Sequence, residues 1–307
     1  MALAAVLLLL ASLPAWAPNR FWINVASQAL IFATFAVSLD LLVGYAGMPS
    51  LGHATFYAAG AYVAALWSLH ERPDLLPMLG LAVLAGAGVA LPLGALALRA
   101  SGIYFLMLTL ALGQMAWALV SNNDLRDVLG GDIGLIGVGR PELLAGVRLA
   151  EPSSFYYLVL ALATLSFAFL TVVVSSPFGR TLEGIRENEH RMRALGYPVF
   201  RYRLAAFVIA GGVAGLAGML AATFSNAANP ALAYWTTSGL ALIAAIIGGV
   251  RSLLGPAIGA AIVVIMQVSV AVQVGAVSAT LLPIGLVFVA FVLFAPGGLV
   301  RLARFRG

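Results

Sequence analysis

Long unbroken apolar runs, separated by short clusters of glycine, proline or charge, set the pattern of this chain. Ten runs stand out, at about 2–17, 21–43, 55–69, 75–98, 103–121, 155–176, 204–225, 237–250, 255–275 and 279–299. A helix needs about 20 residues to cross the hydrocarbon core of a bilayer, and most of the runs approach that length. The third and eighth are short; they either borrow neighbouring residues or form broken, re-entrant elements. A membrane barrel would alternate apolar and polar residues over short segments, and these runs do not. The expected fold is an all-α integral membrane protein: a polytopic bundle of about ten transmembrane helices (8–10), forming a single transmembrane domain over 1–307.

Composition agrees with the pattern. Apolar residues make up 63% of the chain and charged residues 9%, against about a quarter charged in a soluble domain. Too little polar surface exists to cover a globule in water, so the outside must face lipid, where every backbone polar group is bonded internally. The start of the chain imitates a signal peptide, with an apolar core at residues 7–10 and an A-x-A-like site at Ala15, Trp16 and Ala17. No basic segment precedes that core and Pro18 follows the site directly, so a retained first helix is the expectation.

Charge supplies orientation. All sixteen basic residues are arginine. Six of them (Arg180, Arg186, Arg191, Arg193, Arg201, Arg203) lie in 179–203 and three (Arg301, Arg304, Arg306) in the tail. Both segments are expected in the cytoplasm. Four runs separate them, an even number, and six runs precede the first, which places both termini inside. Arg99 and Arg251 join the inner set; Arg20, Arg72, Arg126, Arg140 and Arg148 fall outside. The expected location is the bacterial inner membrane.

Several chemistries are excluded. Cysteine is absent, and the three histidines (His53, His70, His190) are scattered, so no disulfide, metal site or cofactor is expected. A phosphate-binding G-x-x-x-x-G-K-[ST] run needs lysine, and the chain has none. No paired catalytic groups stand within the runs. The chain is therefore expected to be no enzyme, and to take its energy from a partner or an ion gradient.

Three polar features remain. The external loop 122–154 carries Asp124, Asp127, Asp132, Glu142 and Glu151 around a glycine-rich centre; it is either a solvated connector or a surface for a basic partner. Asp40 lies near the end of the second run, followed by Gly44, Tyr45, Gly47, Pro49, Ser50 and His53. An ionisable group there marks a substrate path or caps the glycine turn, and a helix broken at these glycines exposes backbone groups for the charged ends of an amino acid. The stretch GMPSLGHA (47–54) distantly resembles GVRSLLGPA (249–257), consistent with an internal pseudo-repeat.

The most charged part of the chain is 179–196, with Glu183, Glu187 and Glu189 interleaved with Arg186, Arg191 and Arg193. Glu187–Arg191 and Glu189–Arg193 have the favourable i,i+4 order. Leu182, Ile185, Met192 and Leu195 offer apolar contacts, and Gly196 with Pro198 ends the helix. One water-facing helix of about fifteen residues is expected, longer than a connector requires and suited to docking.

Residues 179–220, GRTLEGIRENEHRMRALGYPVFRYRLAAFVIAGGVAGLAGML, resemble the signature of permease subunits of branched-chain or hydrophobic amino-acid ABC transporters, nearer the M-type member of the usual pair. LDLLVGYAGMPSLGHATFYAAGAYVAAL (39–66), IGGVRSLLGPAIGAA (247–261) and LFAPGGLV (293–300) are similar to further hallmarks of that family. Asp40 stands where the family usually has Asn, and Arg191 with Met192 where it has small residues. The resemblance implies a coupling segment over 177–203, with Thr181, Glu183, Arg186, Glu187, Glu189, Arg193 and Gly196 meeting an ATPase. It also implies the partners: a second permease subunit, two cytoplasmic ATPases and a periplasmic substrate-binding protein. Branched-chain or related amino acids are the implied cargo, with urea or short amides as the alternative within the family. An ion-coupled secondary transporter is the rival outside it, with Asp40 as its single intramembrane acid.

Overall fold

The computed structural model describes residues 10–14, 19–143, 147–148, 151–274, 281–294 and 298–299. The cleavage-like site at 15–17, most of the first run, and the tail with Arg301, Arg304 and Arg306 lie outside these residues. So do the start of the last run and part of the 293–300 motif.

Apart from residues 10–14 and the short helical turns Asn123–Leu125, Arg126–Leu129 and Pro230–Ala233, the described helices are α1 (Arg20–Asp40), α2 (Ala54–His70), α3 (Leu75–Ala97), α4 (Ile103–Val120), α5 (Pro152–Ser175), α6 (Pro177–Glu187), α7 (Glu189–Ala194), α8 (Val199–Ser225), α9 (Trp235–Gly248), α10 (Leu254–Val274) and α11 (Leu281–Phe294). Each apolar run from 21–43 onward has become a helix within a few residues of its expected ends, and α8 begins earlier, at Val199. The fold is an all-α, multi-pass membrane bundle. Spans α1 and α8 form its centre, with 72% and 67% of their apolar windows buried. Spans α3, α4 and α5 are only 22–28% buried and present Leu84, Met107, Met115, Leu165 and Val172 outward. A helix apolar all round belongs in lipid or in a core, and these do both.

Between apolar helices in lipid the attraction is close packing rather than water exclusion, so small residues decide where backbones meet. Gly60 of α2 and Gly86 of α3 both press on the backbone of Gly215 in α8, and Gly218 presses on the Tyr57 carbonyl. Any side chain at these points would push α8 away from α2 and α3.

The chain alternates between two ends. One end gathers residues 98–101, α6, α7 and the turns at 44–47 and 249–253. The other gathers residues 70–74, 121–143, 147–148 and 226–234. There β1 (Leu135–Ile136) pairs antiparallel with β4 (Ala227–Ala228), and β2 (Glu142–Leu143) pairs with β3 (Val147–Arg148). The Gly139 amide bonds Ser68 Oγ at 2.7 Å. The long loop is thus fastened to the bundle rather than loosely solvated.

The expected single helix over 179–196 is corrected. Asn188 has φ −155° and ψ 95°, outside the helical region, and divides the segment into α6 and α7. Its side-chain oxygen accepts from the Arg191 amide at 2.9 Å. An asparagine that caps a new helix competes with continuation of the old one. Glu187 and Arg191 therefore do not share a helical face, and Leu195, expected to make apolar contacts, is 66% exposed. Gly196 does end α7: its φ is +85°. The Tyr197 amide bonds Met192 O and the Gly196 amide bonds Arg193 O, at 3.1 and 3.0 Å, the paired bonds of a left-handed helix stop.

Gly218→Leu should lower the detergent-solubilised melting temperature, an overpacking cost of about 1–3 kcal/mol or more. Gly80→Ala, whose added Cβ meets nothing within 4 Å, should leave it unchanged. Equal effects would contradict the tight α2–α8 crossing.

Candidate functional site

Span α1 does not end cleanly. Beyond Asp40 the helix widens into a π turn over Leu41–Tyr45, closed by the Ala46 amide on Leu41 O at 3.1 Å and the Met48 amide on Leu42 O at 2.8 Å. Gly44 belongs here because a Cβ would strike the Asp40 carboxylate and lie 2.8 Å from the Arg251 amide. Gly47, with φ +69°, then turns the chain; a Cβ there would lie 2.7 Å from Arg186 Cγ.

The next helix starts only at Ala54, and its first amide is bonded by Ser238 Oγ of α9 at 2.7 Å. Ser238 stands some ten residues, about 15 Å of helical rise, from the far end of α9, where Arg251 meets Asp40. The non-helical residues 46–53 therefore run within the depth of the membrane. Such backbone is tolerated there only when protein satisfies it. Ser50 Oγ accepts from the Gly52 amide, and Thr109 Oγ1 of α4 from the Leu51 amide, both at 3.3 Å.

Asp40, Ser38, Ser50 and His53 are completely buried. His53 Nε2 lies 2.8 Å from Ser38 Oγ, and that hydroxyl donates to Phe35 O at 2.7 Å. With its one proton committed, Ser38 must accept, so Nε2 carries the hydrogen and Nδ1 is a bare acceptor. The ring stacks on Phe35 and meets Phe56 edge-on, at 5.3 and 5.4 Å between centroids. Asp40 Oδ2, His53 Nδ1 and Thr55 Oγ1 are buried polar atoms with no hydrogen-bond partner among the described residues. Buried polar groups are otherwise almost always paired; Tyr62, Gln114, Ser121, Arg203 and Asn229 also carry one such atom each. No cluster of metal-binding side chains occurs among the described residues.

Three segments meet at the basic end. The Asp40 carboxylate accepts from the Arg251 amide at 3.1 Å, and Tyr45 OH donates to Arg251 O at 3.2 Å. From α6, Arg186 donates to the Gly44 carbonyl, and Glu183 accepts from Arg251 Nη2 at 3.2 Å. Leu182 and Ile185 sit fully buried beneath them. Two acids and two arginines thus balance: partial burial, then Arg251, lowers the pKa of Arg186, while Asp40 and Glu183 raise it.

The residues expected to meet an ATPase divide into two groups. Thr181 is buried and donates to Pro177 O at 2.9 Å, while Glu183 and Arg186 reach into the bundle. Glu187, Arg193 and Gly196 are exposed, and half-buried Glu189 is bridged by Arg193 and by Arg203 of α8, the latter at 2.8 Å. The path candidates Asp40, Gly44, Tyr45, Gly47, Ser50 and His53 all lie along the break. Sequence reasoning missed Arg251, Ser38, Ser238 and Thr109. Arg251 left a signal, a lone charge in a long apolar stretch; hydroxyls inside apolar helices left none.

A multi-pass helical bundle with an interrupted central span, and a charged helix pair fixed beneath the interruption, has the build of a transport permease. The chain belongs to the family described as branched-chain amino acid transport system permease components, which matches residues 21–295. It is 29% identical over 272 residues to the high-affinity branched-chain amino acid transport system permease protein LivM of Salmonella typhimurium, covering 81% of this chain and 63% of that relative. LivM of Escherichia coli is likewise 29% identical over 288 residues, covering 86% of this chain and 67% of the relative. A probable LivM of Methanocaldococcus jannaschii is 25% identical over 225 residues, with 62% of this chain and 64% of the relative covered. The chain thus spans about two thirds of the length of these curated relatives. No solved structure matches it significantly.

Asp40→Ala should cost about 1–3 kcal/mol, the penalty for leaving a buried amide without its acceptor. Asp40→Asn keeps a carbonyl oxygen for Arg251 and should cost clearly less. Thermal unfolding in detergent tests the order; equal losses would contradict the acceptor role.

Proposed function

We propose that this chain is one permease subunit of an ABC importer that carries branched-chain or related amino acids across the bacterial inner membrane, driven by ATP hydrolysed in partner subunits. The observation that carries this reading is the two-sided helix pair α6–α7. Its inner face is fixed to the bundle through Leu182, Ile185, Glu183 and Arg186. Its outer face presents Glu187, Arg191 and Arg193 together with Leu195 and Tyr197 just past α7, the last two 66% and 40% exposed. Exposed apolar side chains rimmed by charge, beyond the membrane, suit a protein partner, here the cytoplasmic ATPases.

Orientation follows from arginine. The end bearing α6 and α7 holds Arg99, Arg180, Arg186, Arg191, Arg193, Arg201, Arg203 and Arg251; the opposite end holds Arg20, Arg72, Arg126, Arg140 and Arg148. The richer end is assigned to the cytoplasm, with both termini on that side. The whole chain then acts as a single transmembrane permease domain. Its loop 122–154 faces the periplasm, where exposed Asp124, Asp127 and Asp132 beside Val128, Ile133 and Ile136 offer a mixed acidic and apolar surface to a substrate-binding protein. The second permease subunit covers part of the outward faces of the peripheral spans. Within the bundle, the bare acceptors at Asp40 and His53 suit the ammonium end of an amino acid, and Phe35 and Phe56 suit its apolar side chain.

Arg191→Glu with Leu195→Asp should leave membrane insertion intact and reduce ATPase co-purification by about tenfold, the equivalent of 1.4 kcal/mol of lost contact. Undiminished co-purification would remove α7 from the interface. Leucine uptake by the reconstituted complex should stop on ATP depletion and survive a protonophore. The reverse result would make the chain an ion-coupled carrier.

A further inference from the structure

We infer that Arg251 is the residue through which movement of α6 reaches residues 249–253 and, through them, both edges of the break, with Glu183 as its point of attachment; this rests on reading α6–α7 as the ATPase-docking element. Glu183 and Arg186 are three residues apart on one face of α6, and each holds a different segment. Arg186 holds the end of α1 at the Gly44 carbonyl, its stem lying over Gly47. Glu183 holds the Arg251 guanidinium. Arg251 is in turn held from the other side by α1 and its π turn, its amide by Asp40 and its carbonyl by Tyr45. It is engaged by both partners at once, through three separate groups.

The segment carrying Arg251 is built to transmit displacement. Arg251 and Leu253 have φ of +69° and +49°, left-handed values that non-glycine residues keep only where their surroundings determine them. The segment leads directly into α10, and Gly248 and Gly259 bring the backbones of α9 and α10 into contact. Ser238 of that α9–α10 unit bonds the first amide of α2. A shift of residues 249–253 therefore reaches both edges of the break: Asp40 at its start and Ala54 at its end. The Glu183–Arg251 pair is itself about two-fifths exposed, at 35% and 43%. Pairs so exposed add little to stability, so its removal should spare the fold and still disconnect the movement.

The test uses the complete transporter in proteoliposomes, with Glu183→Arg, Arg251→Glu and the double exchange. Each single variant should retain its ATPases and their hydrolysis but carry about tenfold less leucine per ATP, and the double variant should regain most of the loss, as a coupled pair does. Should charge reversal impair insertion, Arg251→Asn takes its place; asparagine tolerates the left-handed backbone, keeps the amide for Asp40 and lacks the guanidinium. Normal leucine per ATP in any of the charge-removing variants, or a double variant no better than the singles, would overturn the inference. Loss of the ATPases from a single variant would also overturn it, placing the pair in docking instead. Failure of the unsubstituted chain to hold ATPases would overturn the underlying reading of α6–α7.

Discussion

A completely buried carboxylate bonded to a backbone amide 211 residues away is the contact on which the architecture turns. Asp40 sits where α1 stops being an ordinary helix, and Arg251 sits in a segment whose backbone is left-handed at non-glycine positions. Neither arrangement is stable alone. A π turn forfeits regular helical bonding, and left-handed arginine is strained. Each supplies what the other lacks: the carboxylate gives the amide its acceptor, and Gly44 leaves the room for them to meet. Around this contact the chain can carry eight residues of non-helical backbone through the membrane interior, with Ser238 and Thr109 from other helices completing the hydrogen bonds.

The remaining helices hold that arrangement in place. Glycines on α2, α3 and α8 let three backbones touch, so the helix that follows the break is fixed against the central span α8. The peripheral spans α3, α4 and α5 leave apolar outer faces exposed. At the basic end, α6 joins the break to the surface proposed for the ATPases, without itself crossing the membrane. Rigid crossings at the centre and charged contacts at the edge divide the molecule into a part that holds and a part that is held.

The helices were legible because lipid leaves long apolar runs few alternatives, and even the short third run signalled the break that truncates it. The break from Asp40 to His53 was legible as polar residues and glycines gathered where an apolar helix should have continued. The halves of 177–203 were less so. Periodicity ran through Asn188, and only the local competition of its side chain for the Arg191 amide divides the segment. Which face of α6 turns inward depends on Gly44 and Arg251, 142 and 68 residues distant; no local pattern encodes such distances. The similarity between 47–54 and 249–257 has a counterpart in the structure, since each stretch turns at a left-handed glycine, Gly47 or Gly249, and leads into a helix.

In the proposed coupling, α6, the interrupted end of α1 and residues 249–253 move as one body. Because this chain lacks cysteine, paired spin labels can be placed on it before assembly without background from its own thiols. Distances from Glu187 to Ser252, and from Glu187 to Ser101 at the end of α3, should be measured by electron–electron double resonance in the assembled transporter, with and without ATP. The account predicts that the first distance stays constant while the second changes. A change in the first, with α6 sliding past residues 249–253, would contradict it.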